Sequence, residues 1–296
     1  MQVNMHSQIG ARFKLIAHKG DGVATKATEW FNNIVLDSGL ARMSAGTWID
    51  RCCVGTGSTT PAVSQTALTS FLASTTVRQS TSTLLQTTTS PYYRSATITW
   101  RFSEGVAAGN ISEVGLGWGN STLWNRALVL DANGNPTTIT VLSDEFLDVV
   151  AEIREYPTLS TSGTFLLLDK TGATKSTHTY VGSPYMPAFS VTFPKINSTN
   201  LVVYSGIKND GVTAAPSISL GTISTVSDSY PTPTSIQSIW DLGLANAIGA
   251  HQSFQIQLNG LIGLFCYKFQ ITPTITKAAT EKMTYTTTMT WSRYEG

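Results

Sequence analysis

The sequence predicts a mainly β protein: two β-sandwich-like domains, with a few short helices in the N-terminal half. Three observations carry that prediction. Period-two alternation is explicit in "RSATITWRF", where Ala96, Ile98, Trp100 and Phe102 fall on one face and Ser95, Thr97, Thr99 and Arg101 on the other, the pattern of a half-buried strand. Segments of Gly, Pro, Ser and Asn separate the β-prone runs at intervals typical of sandwiches. Charged residues make up 12% of the 296 positions, about half the usual share. The polar surface must therefore be built largely from hydroxyls and amides, and β-branched Thr suits a pleated, half-wet strand.

Taken in chain order, "MQVNMHSQIGARFKLIAHKGDG" has no charged leader followed by a continuous apolar core, which predicts a chain made in a cytoplasm. "TKATEWFNNIVLDSGLARM" (25–43) reads as a short helix with Thr28 as N-cap and Gly39 as its end. "SQTALTSFLAS" (64–74) places Leu68, Phe71 and Leu72 at helical spacing behind Ser64. In "RALVLDANGNPTTITVL" (126–142), Asn133-Gly134 between two β-prone runs signals a hairpin. "FLDVVAEIREY" (146–156) alternates Leu147, Val149, Ala151 and Ile153 against Asp148, Val150, Glu152 and Arg154. A domain boundary is expected in "REYPTLSTSG", giving domains 1–157 and 158–296, the second with long Pro-rich loops because prolines at this density disfavour central strands. "SIQSIWDLGLANAI" is a weaker helix signal, and 254–258, 267–271 and 284–291 read as strands.

One string is written twice. "TITWRFSEG" (97–105) returns as "TMTWSRYEG" (288–296), so that Trp100 and Trp291 are expected to point into cores, with Arg101 and Arg293 on rim positions. Duplication would place one such strand in each domain, and convergence in Thr-rich strands is the plainer account. On either account the second copy should pin the end of the chain.

Catalytic constellations are not visible. His6, His18, His178 and His251 are scattered without a Cys or carboxylate at ligand spacing, and each reads as a surface or loop residue. Cys52, Cys53 and Cys266 read as buried thiols. "GTGSTTPA" (55–62) lacks the Lys of a phosphate loop and reads as a polar turn, while "DANGNP" (131–136) has Pro136 where a calcium loop needs Gly. Asp144, Glu145, Asp148, Glu152 and Glu155 form an acidic cluster. Asp148 and Glu152 lie roughly 13 Å apart on one strand face, too far for a retaining pair, so a solvated face is expected. The expectation is therefore no enzyme, no cofactor and no metal. Trp100, Trp118, Trp124, Trp291, Tyr92 and Tyr93 are the candidate interface or core anchors.

"WFNNIVLDSGLARMSAGTWIDRCCVGTGSTTPAVSQTALTSFLAST", "YYRSATITWRFSEGVAAGNISEVGLGW" and "LWNRALVLDANGNPTTITVLSDEFLDVVAEIREYP" closely resemble structural proteins of tailed bacteriophages and prophages, known as tail or virion proteins. The resemblance spans residues 30–157. It is most specific in the turn Cys53-Val54-Gly55-Thr56-Gly57-Ser58-Thr59 with Pro61-Ala62, in "RFSEGVAAGNISEVGLG", and in the Asn125–Asp131 run. It implies a particle component around a symmetric tail or connector, located in the virion after synthesis in the bacterial host cytoplasm. The implied partners are copies of itself and other tail or connector proteins. Alternatives are a tail-fibre module for a host receptor or glycan, and a capsid decoration or head-fibre protein. A formal net charge of +1 with no block of like charge argues against nucleic acid and membrane surfaces. Seven Trp, ten Tyr and eleven Phe in a chain of low charge suit an obligate multi-copy assembly.

Overall fold

The computed structural model describes residues 2–224 and 226–295. After β1 (Gln2–His18) come three short strands, β2 (Ala24–Ala27), β3 (Phe31–Asn32) and β4 (Ile34–Val35), and a helix, α1 (Asp37–Arg42). β5 (Arg51–Gly55), β6 (Phe71–Thr75), β7 (Arg78–Gln86) and β8 (Tyr93–Phe102) follow. Next are β9 (Gly109–Ile111), β10 (Glu113–Gly119), β11 (Thr122–Leu123), β12 (Asn125–Leu128), β13 (Ile139–Val141) and β14 (Phe146–Pro157). The remainder is β15 (Thr161–Leu168), β16 (Thr174–Tyr185), β17 (Asn197–Tyr204), β18 (Ser219–Ile223), β19 (Val226–Ser229), β20 (Ser235–Leu242), β21 (Gly249–Asn259), β22 (Leu264–Lys277) and β23 (Met283–Arg293).

A mainly β protein is what these elements make. The central sheet runs β19-β20-β23-β1-β14-β8-β7, with β2 and β3 also paired to β1. Its axis is β1, whose Val3, Met5, Ser7, Ile9, Phe13, Leu15 and Ala17 alternate inward. The same period-two signal can be read directly in its sequence, although β1 is not among the elements singled out above. A second sheet, β4-β12-β10-β5-β6, and a third, β15-β16-β22-β21-β17-β18, complete the layers, with β9 and β13 as a small ribbon. One hydrophobic cluster holds the inward residues of all three large sheets, including Trp100, Trp291, Trp124, Phe254 and Tyr267. Across the layers, Trp48 Nε1 donates to the Gly260 carbonyl at 2.8 Å and Trp291 Nε1 to the Leu40 carbonyl at 2.9 Å.

The position expected for a boundary, 154–163, begins inside β14 and reaches into β15. Strands from both sides of residue 157 share the central sheet, because β23 lies parallel to β1 from Gln2↔Thr286 to Ile9↔Arg293. Trp100 and Trp291 therefore sit in one sheet and face one core, not one core each. Gly296, the last residue of the echo, lies outside the described residues.

Several local expectations yield to pairing. The segment 25–43 is helical only in the six-residue α1, since Phe31 pairs with Phe13 and Val35 with Asn125. Gly39 does not end that helix but lies within it, where a Cβ would come 2.2 Å from the Trp124 carbonyl oxygen. The segment 64–74 contains no helix and ends in β6, paired with β5. Residues 235–242 form β20 between β19 and β23, not a helix. Asn133-Gly134 does turn, with Gly134 at φ 80°, and a short hairpin closes around it through the antiparallel Leu130↔Pro136 bridge and the Thr137 amide donating to the Val129 carbonyl at 2.9 Å; beyond it β12 and β13 pair with β10 and β9. Helix propensity is a weak prior, and an unpaired neighbouring strand outweighs it. Among the described residues from 158 to 234 the chain forms five strands, with the Pro-bearing loops 186–196 and 205–218 between them. Pro184 fits inside β16 because β15 ends its pairing at Gly182, so only β22 flanks that position.

Candidate functional site

Side chains alternate across β1, β14 and β8, so the register Gly10↔Arg154↔Ser95 and Arg12↔Glu152↔Thr97 defines an outer face. Glu152 accepts from Arg12 Nε at 2.5 Å and from Arg154 Nη2 at 2.9 Å. Burial alone would raise the Glu152 pKa, but the bonds from Arg154 and Arg12 prevail and hold it below the usual carboxylate range. The same two cations also lie over rings, Arg154 4.6 Å from Tyr93 and Arg12 4.5 Å from Trp30. Tyr294, just past β23, continues the strand by donating its amide to Ile9. Its Cβ lies 3.4 Å from where a Gly10 Cβ would stand, an ordinary contact distance, so the ring rests directly on the sheet beside Gly10. There it stacks on Tyr156 with centroids 3.7 Å apart and planes 11° apart, and Tyr156 leans on Tyr93 at 5.5 Å. The result is a groove of about 620 Å³, walled by this tyrosine row, Arg12, Arg154, Arg293 and the Asn32-Asn33 segment. Asn33 Nδ2 and Oδ1 and Arg154 Nε have no hydrogen-bond partner within the chain.

A second surface is the β7 edge. β7 ends the central sheet, paired on one side with β8 and on the other with nothing among the described residues. Its first seven residues are exposed on both faces, and Val77 and Leu84 add exposed apolar surface.

The anchors named from sequence divide between core and surface. Trp100, Trp124 and Trp291 are fully or nearly fully buried, with Trp124 5.0 Å from Trp48. Trp118 is half-buried, 5.2 Å from the Arg42 guanidinium. Tyr93 stands in the groove, whereas the half-buried Tyr92 is not among the groove residues. Tyr156, Tyr294, Arg12 and Arg154 complete the groove and were not singled out by sequence, because residues this far apart meet only through pairing of β1 with both β14 and β23.

The acidic residues do not form a solvated face. Asp148 and Glu152 are buried and paired with arginines, Asp148 accepting from Arg101 Nε at 2.7 Å and Nη2 at 2.6 Å. Glu155 points the other way, into the core, where it accepts from Ser7 and Arg94. Glu145 is buried, accepting from the Leu142 amide at 2.8 Å, and Asp144 pairs on the surface with Lys19 at 2.7 Å. Nor are the histidines loop residues, since all four lie in strands and three are buried. His251 Nε2 donates to the Ala247 carbonyl, so Nδ1 accepts from the Tyr285 hydroxyl, and burial lowers its pKa. All three cysteines are free and buried, and burial pushes Cys53 and Cys266 up to about 12. The 55–62 turn is organised from below by a fully buried pair. Glu113 accepts from the Gly57, Thr69 and Ser70 amides at 2.7–3.0 Å, and Arg126 donates to it and to the Thr59 carbonyl. Among the described residues no group of three or more His, Cys, Asp or Glu could hold a metal ion.

Comparison of the chain with protein-family models, with characterised proteins and with solved structures returns no match in any of the three.

Proposed function

We propose that the chain is a structural subunit of a tailed-bacteriophage virion, tail-associated at a baseplate, tail tip, collar or fibre attachment, acting as a symmetric homo-oligomer without catalysis. Residues 30–157 support the phage assignment through their resemblance to tail and virion proteins. The single observation that carries assembly is the β7 edge: nine residues long, unpaired on one side, and exposed on both faces over its first seven residues. Such an edge presents a row of free amides and carbonyls that a second chain can extend. Soluble monomers blunt these edges with charge, proline or a bulge; β7 has such a device only at its start, in Arg78 and the register shift between Arg78 and Ser80, and carries Ser80, Thr81, Ser82 and Thr83 beyond it.

Light scattering on the purified protein at micromolar concentration and native salt should give one discrete oligomer. Replacing Thr81 and Thr83 with Lys should shift it toward monomer while changing stability by no more than about 0.5 kcal/mol per site, as exposed substitutions do. A clean monomer for the unmodified chain sinks the assembly reading. Antibody labelling confined to the capsid of particles would remove the tail placement.

A further inference from the structure

We propose that the tyrosine groove on the outer face of the central sheet binds a neutral saccharide unit. The inference goes beyond assembly and does not depend on it, since the groove is formed within one chain. Three features point to this ligand class. First, the wall is a row of rings, Tyr93, Tyr156 and Tyr294, and aromatic side chains join an apolar face to a polar tip, matching a sugar ring with its C–H faces and hydroxyl rim. Second, the donors are held in place before any ligand arrives: Glu152 fixes Arg12 and Arg154, and Arg293 is held by the Val35 carbonyl at 3.0 Å and by Asp37. Third, the charges already balance, with Arg12, Arg154 and Arg293 set against Glu152, Asp37 and the exposed Glu295. A groove with no charge excess gives a free anion little advantage.

The guanidiniums add the polar specificity. Arg12, Arg154 and Arg293 keep side chains 35%, 22% and 22% exposed while paired, and each guanidinium carries more N–H donors than its carboxylate partner engages. The N–H groups left open at the groove can donate to sugar hydroxyls. At about 620 Å³ the groove is within the size range of small-molecule sites.

The test is saturation-transfer NMR and calorimetric titration of the full chain with methyl α-glucoside, methyl β-galactoside, N-acetylglucosamine and cellobiose, with inorganic phosphate and glucuronate as anion arms. At least one neutral sugar is expected to bind, weakened about tenfold or more by Tyr294→Ala and by Arg12→Gln, and kept within about threefold by Tyr294→Trp, which retains the stacking surface. Thermal melts of each variant separate lost binding from lost fold, and Tyr294→Trp keeps a ring over Gly10 if Tyr294→Ala fails to fold. The proposal is overturned if no neutral sugar in the panel binds, if Tyr294→Ala and Arg12→Gln leave binding unchanged, or if only phosphate or glucuronate binds.

Discussion

The two faces of the central sheet use the same chemistry for opposite ends. On the inner face, Arg94 and Glu155 form an ion pair with side chains 2% and 0% exposed, closed by Ser7 and by the Leu264 carbonyl. On the outer face, Arg12, Glu152 and Arg154 make a chain of charges whose cations stay partly open and lie over Trp30 and Tyr93. Inside, every oxygen of Glu155 is engaged and the pair ties β1, β14 and β8 to the third sheet. Outside, the carboxylate positions guanidiniums at the rim of a groove. The difference lies in what covers each face: Arg94 is closed off from solvent even with its Nη2 unpartnered, so its carboxylate partner must offset the whole cost of burial, whereas the half-open Arg12 and Arg154 keep guanidinium surface for another molecule.

The largest break in this comparison comes from removing the inner face's C-terminal strand. Truncation after Thr288 deletes Met289 and Trp291 together with the pairing of β23 to Met5–Ile9. The truncated protein should lose its cooperative urea transition, and a normal transition would show that the second Thr-Trp string is decorative. Next in size is the inner ion pair. Glu155→Ala strands a buried guanidinium and should cost about 3–5 kcal/mol by chemical denaturation, while Arg94→Met with Glu155→Leu should recover most of that. If the double replacement is as damaging as the single one, the pair itself, not its completeness, sustains the core. The smallest effect sharpens the outer face. Because Glu152 is held below its ordinary pKa, its contribution is present above the unfolded value of about 4.3 and is lost as pH falls through the lower folded value. A Glu152→Gln variant should therefore show a shallower loss of stability below about pH 4 than the unmodified chain. Identical slopes would mean that the arginines do not differentiate the folded from the unfolded carboxylate.

Strand identity was legible where one face was apolar and the other polar. Ala96, Ile98, Trp100 and Phe102 do line the inner face of β8, and Leu147, Val149, Ala151 and Ile153 that of β14. The reading weakened where a polar residue replaced an apolar one on the inner face. Glu155 sits in phase with Ile153 and is buried all the same, because Arg94 arrives from a strand about sixty residues earlier. Helices were over-assigned for a related reason: spacings such as Leu68, Phe71 and Leu72 are compatible with a helix, but β5 has a free edge that Phe71–Thr75 satisfies.

By itself the sequence determined that this chain is mainly β, where its clearest strands run, and which of their residues turn inward, because alternation is a property of each strand's own backbone. Only the tertiary structure decided that β1 and β23 pair in parallel, that Trp100 and Trp291 share a core, and that Arg12, Asn33, Tyr93, Arg154, Tyr156 and Tyr294 meet around one groove. Partner choice and register are non-local. They are settled by which exposed edges and buried charges find each other when the layers close.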